Sequence, residues 1–141
     1  MRFSFLVLLL GVNSFLVHGA LDISSVKPDL FIPSLTKGKP AAGKRVKQTH
    51  PDWKDTEVYH VIYLPKDWRP DKRYPVIVEY AGNGPYKNKF GDISAGRPES
   101  SKMGYGISGG EGFIWVCIPY LNESGNKNAQ FFASRYDYLR I

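Results

Sequence analysis

Three short segments carry most of the ordered apolar signal. Val58, His60, Ile62 and Leu64 fall on one side of a period-two pattern, and Tyr59, Val61 and Tyr63 on the other. Both sides are rich in β-branched and aromatic residues, which predicts a well-covered strand. A second strand, buried on both faces, is expected over residues 76–80, dominated by Val and Ile and followed by Gly82-Asn83-Gly84-Pro85. A third is expected over residues 113–120, an unbroken apolar run, and burial on both faces would make it a central strand of a helix-covered sheet. Between the first two, residues 65–75 hold Asp67, Pro70, Asp71 and Pro75 and read as turns.

The rest of the chain is less regular. Residues 81–112 are long and Gly-rich with no sustained helical period, apart from a short helix expected near residues 99–103. Residues 129–141 are aromatic, and Phe132, Tyr136 and Leu139 stand about one turn apart, which predicts the start of a helix. Ahead of the strands, residues 20–56 have few periodic apolar positions and many Pro, Gly and Lys residues. They are expected to form a poorly ordered lead-in, with ordered structure beginning near Glu57.

The first residues have a different character. Arg2 precedes an apolar run over residues 3–10 that continues through Val12, Phe15, Leu16 and Val17. This run is too short and interrupted for a membrane span of about 20 apolar residues. Val17 and Gly19 suit a signal-peptidase cut before Ala20, so residues 1–19 are expected to be a leader and the protein secreted. No membrane span is expected once the leader is gone.

Charge adds a candidate contact surface. The 141 residues carry a formal net charge of +6, and Lys37, Lys39, Lys44, Arg45 and Lys47 cluster in the lead-in. Such a cluster suits an extracellular matrix component or an anionic polysaccharide, or is simply a solvated linker; export argues against nucleic acid. Cys117 is the only cysteine, so no internal disulfide is available, and its apolar neighbours predict a small buried hydrophobe.

The ordered set Val61-Ile62-Tyr63-Leu64-Pro65, Arg73-Tyr74-Pro75-Val76-Ile77-Val78 and Ala81-Gly82-Asn83-Gly84 resembles the start of secreted α/β-hydrolases of the esterase and prolyl-oligopeptidase kind. The resemblance spans residue 57 to roughly residue 122. It implies an α/β fold: a partial hydrolase-like sheet over residues 57–141, made of the N-terminal strands and a Gly-rich loop, behind a disordered basic lead-in. It also implies that Gly82, Asn83 and Gly84 hold the position of the oxyanion loop, whose backbone N–H groups face the charge developing on a carbonyl oxygen. Asn83 and Gly84 would be the amide donors. Ala81 stands where that loop has histidine, and Asn83 where it has glycine.

A catalytic triad is not expected in this chain. Gly106-Ile107-Ser108-Gly109-Gly110 matches the letters of a nucleophile elbow, but that device needs a strand before the serine and a helix after it. Ser108 follows a Gly-rich loop and precedes a strand. His18 falls in the leader, and His50 and His60 lie upstream of every candidate serine, against the hydrolase order of serine, acid, histidine. Their spacing fits no metal motif, and no cofactor fingerprint is present. Asn122-Glu123-Ser124 is a glycosylation sequon in a polar loop. Two functions remain open. One is a secreted relative of ester hydrolases that is inactive as this chain, its catalytic half lying beyond Ile141. The other is a short non-catalytic extracellular protein.

Overall fold

The computed structural model describes residues 26–27, 29–82, 84–89, 91–131 and 136–137. Residues 1–19, expected to be a leader, and Asn83, Phe132 and Leu139 lie outside them. The main sheet is built from β1 (Leu35–Thr36), β2 (Arg45–Gln48), β3 (His60–Tyr63), β4 (Val76–Tyr80) and β7 (Ile114–Ile118). Between β4 and β7 come a small hairpin, β5 (Tyr86–Lys87) with β6 (Ile93–Ser94), a 3-10 turn at Pro98–Ser100, and an α-helix, α1 (Met103–Ser108). After β7, β8 (Tyr120–Leu121) is flanked by β9 (Asn128–Ala129) and β10 (Tyr136–Asp137) in a second sheet.

Strand order in the main sheet is β1-β2-β3-β7-β4. The middle strand is β3, and β7, expected at the centre, is the interior strand next to the edge; it lies antiparallel to β3 and parallel to β4. The protein is thus mixed α/β, strand-rich and poor in helix.

The two sheet faces differ. Tyr63, Val61, Trp115 and Cys117 point to one face and form the core with Tyr105 from α1, while Ile32, Leu35 and Ile77 pack against it. The Tyr63 and Tyr105 rings meet edge to face with centroids 5.2 Å apart, a preferred aromatic geometry. On the opposite face one cross-strand row runs Val46, Ile62, Val116, Val78. Burial fades along it: Val46 is fully covered and Val78 is 53% exposed.

Three expectations are corrected here. Ordered structure begins before Glu57, because β2 pairs with β3 from Arg45 to Gln48 and buries Val46 completely. Two apolar-facing positions among the lysines suffice once a neighbouring strand supplies the partner groups. β4 is not covered on both faces: Val76 and Val78 stand exposed on the side that α1 does not cover. Finally, residues 128–129 and 136–137 are strands paired to the two edges of β8, so the helix expected over residues 129–141 is not formed in its described part. Ladder bonds to β8 outweigh a weak helical period in a β-prone aromatic segment.

Candidate functional site

The parallel pair β4 and β7 ends side by side at Tyr80 and Ile118, and the loops beyond these carboxyl ends gather into one cluster. In open α/β sheets this is the end where ligands bind. Ala81 is buried at 2% exposure, Gly82 is open, and the Gly84–Pro85 peptide is cis. Gly84 lies directly on the backbone of Ala95 and Gly96: a Cβ added to it would stand 2.3 Å from the Gly96 nitrogen. Gly96 itself has φ +66, a conformation that favours glycine. Gln130 Nε2 donates to the Ala95 carbonyl at 3.2 Å, which ties in the strand end after β9. Tyr80, Tyr120 and Phe131 stack alongside, with centroids 5.4 and 5.2 Å apart.

The support beneath this cluster comes from residues that sequence patterns did not single out. Glu79, inside an otherwise apolar strand, is 7% exposed, and its carboxylate accepts from Met103 N at 3.3 Å and Gly104 N at 2.9 Å. It thereby satisfies the first amides of α1, for which Lys102 provides no side-chain cap. The signal was available: one carboxylate in a buried strand requires donors. Tyr59 Oη donates to Glu99 Oε2 at 2.5 Å, and burial, followed by this bond, raises the phenol's pKa.

Arg45 departs from the basic patch. Its Nη2 donates to the carbonyls of Pro98, Glu99 and Ser101 at 3.3, 2.8 and 3.1 Å, and its guanidinium lies 5.1 Å from the Trp115 ring centroid. At 7% exposure it cannot meet a partner; burial pulls its pKa down. Alternation along β2 explains the correction, since Arg45 shares the covered face with Tyr63 and Trp115. Lys37, Lys39, Lys44 and Lys47 remain exposed, with Lys47 Nζ 3.6 Å from the Tyr59 ring centroid.

Ser108 is the last residue of α1. Its hydroxyl donates to Gly104 O at 3.0 Å and accepts from Gly110 N at 3.1 Å, so it closes the helix end. His50 Nδ1 accepts from Asp52 N at 3.4 Å at the start of a short 3-10 turn. His60 sits in β3, where burial and then His50 lower its pKa. The Cys117 thiol is fully buried, donates to Ser101 Oγ at 2.9 Å, and is pushed up to about 12 mainly by burial. Among the described residues no group of three or more His, Cys, Asp or Glu could hold a metal ion, and no helix is long and apolar enough to cross a membrane.

Asn122 begins the β8–β9 turn. Its Nδ2 donates to Asn126 Oδ1 at 3.0 Å, and its Oδ1 accepts from Asn126 N and Lys127 N. Around it opens a polar hollow that Asp55, Glu57 and Ser124 also line.

The main sheet defines a mixed α/β protein, and the candidate site is the cluster of glycine-containing loops beyond the carboxyl ends of β4 and β7. Comparison with known family models, with curated proteins and with solved structures finds no match.

Proposed function

We propose that this chain is a secreted relative of the α/β-hydrolases that carries the oxyanion-binding part of an ester-hydrolase site without its nucleophile and base. The observation that supports it is the position of Ala81, Gly82 and Gly84, directly beyond the carboxyl end of β4 and before α1. That is where hydrolases of this kind draw an oxyanion amide. Gly82 has open space about it, while Gly84 packs on the backbone of Ala95 and Gly96; main-chain donors held in such a turn stabilise a developing oxyanion without reorganising. An oxyanion turn alone cannot start acyl transfer, because no bond to the acyl carbon forms without an activated nucleophile.

The test uses isotopically labelled protein from secreting cells, whose first residue should be Ala20. Ethyl methylphosphonate, a tetrahedral monoanion, should shift the Gly82 and Gly84 amide resonances, while short-chain nitrophenyl esters should be hydrolysed no faster than in buffer. Unmoved amides at both glycines would remove the oxyanion assignment. Ester turnover above buffer would remove the half-site reading.

A second reading is a non-catalytic extracellular protein that binds anionic polysaccharide. It rests on the joint exposure of Lys37, Lys39, Lys44 and Lys47 on or beside β1 and β2. Salt-sensitive retention on heparin, lost on neutralising these four lysines, would favour it.

A further inference from the structure

The two edges of the main sheet are guarded very differently. At one side β1 is only two residues long and is followed at once by Lys37 and Lys39, the short and charged edge that discourages strand addition. At the other side β4 spans five residues, Val-Ile-Val-Glu-Tyr, and no strand pairs with its outer edge among the described residues. Its single charge does not protect that edge. Glu79 turns to the covered face and is bound by the amides of α1.

The main-chain direction of β4 follows from one bond. Ile114 N donates to Pro75 O at 3.0 Å, so the polar main-chain groups of Pro75, and by alternation those of Ile77 and Glu79, face β7. Those of Val76 and Val78 therefore face the open side. The side chains of these same two valines are each 53% exposed, so unsatisfied main chain and uncovered apolar surface coincide.

We propose that this edge is a self-association surface, where β4 pairs antiparallel with β4 of a second copy across a two-fold axis at Val78. The segment is self-complementary in every respect that matters for such a joint. With Val78 opposite its own copy, the two residues exchange N–H and C=O bonds directly, as a hydrogen-bonded antiparallel pair does. Val76 then falls opposite Tyr80 and Ile77 opposite Glu79, so no like charges face one another. The exposed valines of both copies adjoin on one face and bury one another. A protein with a formal net charge of +6 would repel its own copy at most patches, and β4 is a long stretch of edge that brings no lysine or arginine to the joint. An isologous two-fold contact also closes, giving dimers rather than fibres.

Sedimentation equilibrium of the secreted protein at micromolar concentration should return twice the monomer mass. Val78→Lys puts like charges on the axis and should return the monomer mass with an unchanged circular dichroism spectrum. Val78→Cys supplies an independent readout because the native thiol of Cys117 is buried. A short bis-reactive thiol reagent should link Val78→Cys into a covalent dimer and leave Lys44→Cys, outside the joint, as monomer. A monomeric wild type, a dimer that survives Val78→Lys, or equal crosslinking of the two cysteine variants would each overturn the proposal.

Discussion

Replacing Gly104 by alanine would set a methyl group into the indole of Trp115, and the outcome can be worked from the geometry. An ideal Cβ at residue 104 stands 2.1 Å from Trp115 Cδ1 and 2.4 Å from Nε1, far inside contact distance. The indole has little room to withdraw: it is 1% exposed, with the Arg45 guanidinium 5.1 Å from its centroid and the Tyr63 ring at 6.4 Å. Moving α1 instead would stretch the 2.9 Å bond from Gly104 N to the buried Glu79 carboxylate. Overpacking of this kind costs about 1–3 kcal/mol, and a weakened bond to a charged acceptor adds about 1.5 kcal/mol. Alanine returns up to about 1 kcal/mol through helix propensity. The net loss is about 1.5–3.5 kcal/mol, or about 5–17 °C in Tm for a chain of this size. Gly106, two residues on in the same helix, is the internal control. Its added Cβ meets only Leu30 Cδ2 at 3.9 Å, so Gly106→Ala keeps the propensity gain and should raise Tm by up to about 4 °C. Thermal melts of the two variants beside wild type decide the matter. If both move the same way, or if Gly104→Ala is as stable as wild type, the close packing of helix on indole is wrong.

Arg45→Met should cost about 2–3 kcal/mol, because it strips a charged donor from three carbonyls that lie against the core. Amide exchange in residues 98–101 should speed up well before global unfolding, and unchanged protection there would refute the anchoring role. His60 makes stability fall on acidification. Its folded pKa is below the ordinary 6.5, so its contribution is full above that value and is lost as pH drops from 6.5 toward the folded pKa. Denaturant melts across that window should lose their slope in His60→Gln, and an identical pH profile would remove this assignment.

Legibility in the sequence followed how locally each feature is determined. The positions of β3, β4 and β7 can be read from alternation and apolar runs, because each strand's own residues carry the pattern. That β7 is an interior strand follows from its apolar residues on both faces. Strand β2 is hidden by composition. Lysines dominate the segment, and only the folded sheet shows that Arg45 and Val46 are covered, on opposite faces of β2, while Lys44 and Lys47 stay exposed. The exposure of Val76 and Val78 is equally invisible locally, since β-branched residues predict a strand but not what covers it. In the candidate site, glycines could be singled out as turn formers. That Gly84 meets Gly96 across an intervening hairpin is a long-range fact, and no spacing rule reports it.

The contact between Gly84 and Gly96 also bears on how such a chain can change over generations. Any side chain at residue 84 strikes the backbone at residues 95 and 96, and one at residue 96 strikes Gly84 in return. Neither position can be substituted while the other stays in place, so the two should be inherited together. Because they clamp the ends of the excursion that carries β5 and β6, the stretch between them is a closed detour. Insertions, deletions or wholesale exchange within it leave the path from β4 to α1 where it was, so this hairpin is where lineages built on the same frame would be free to diverge.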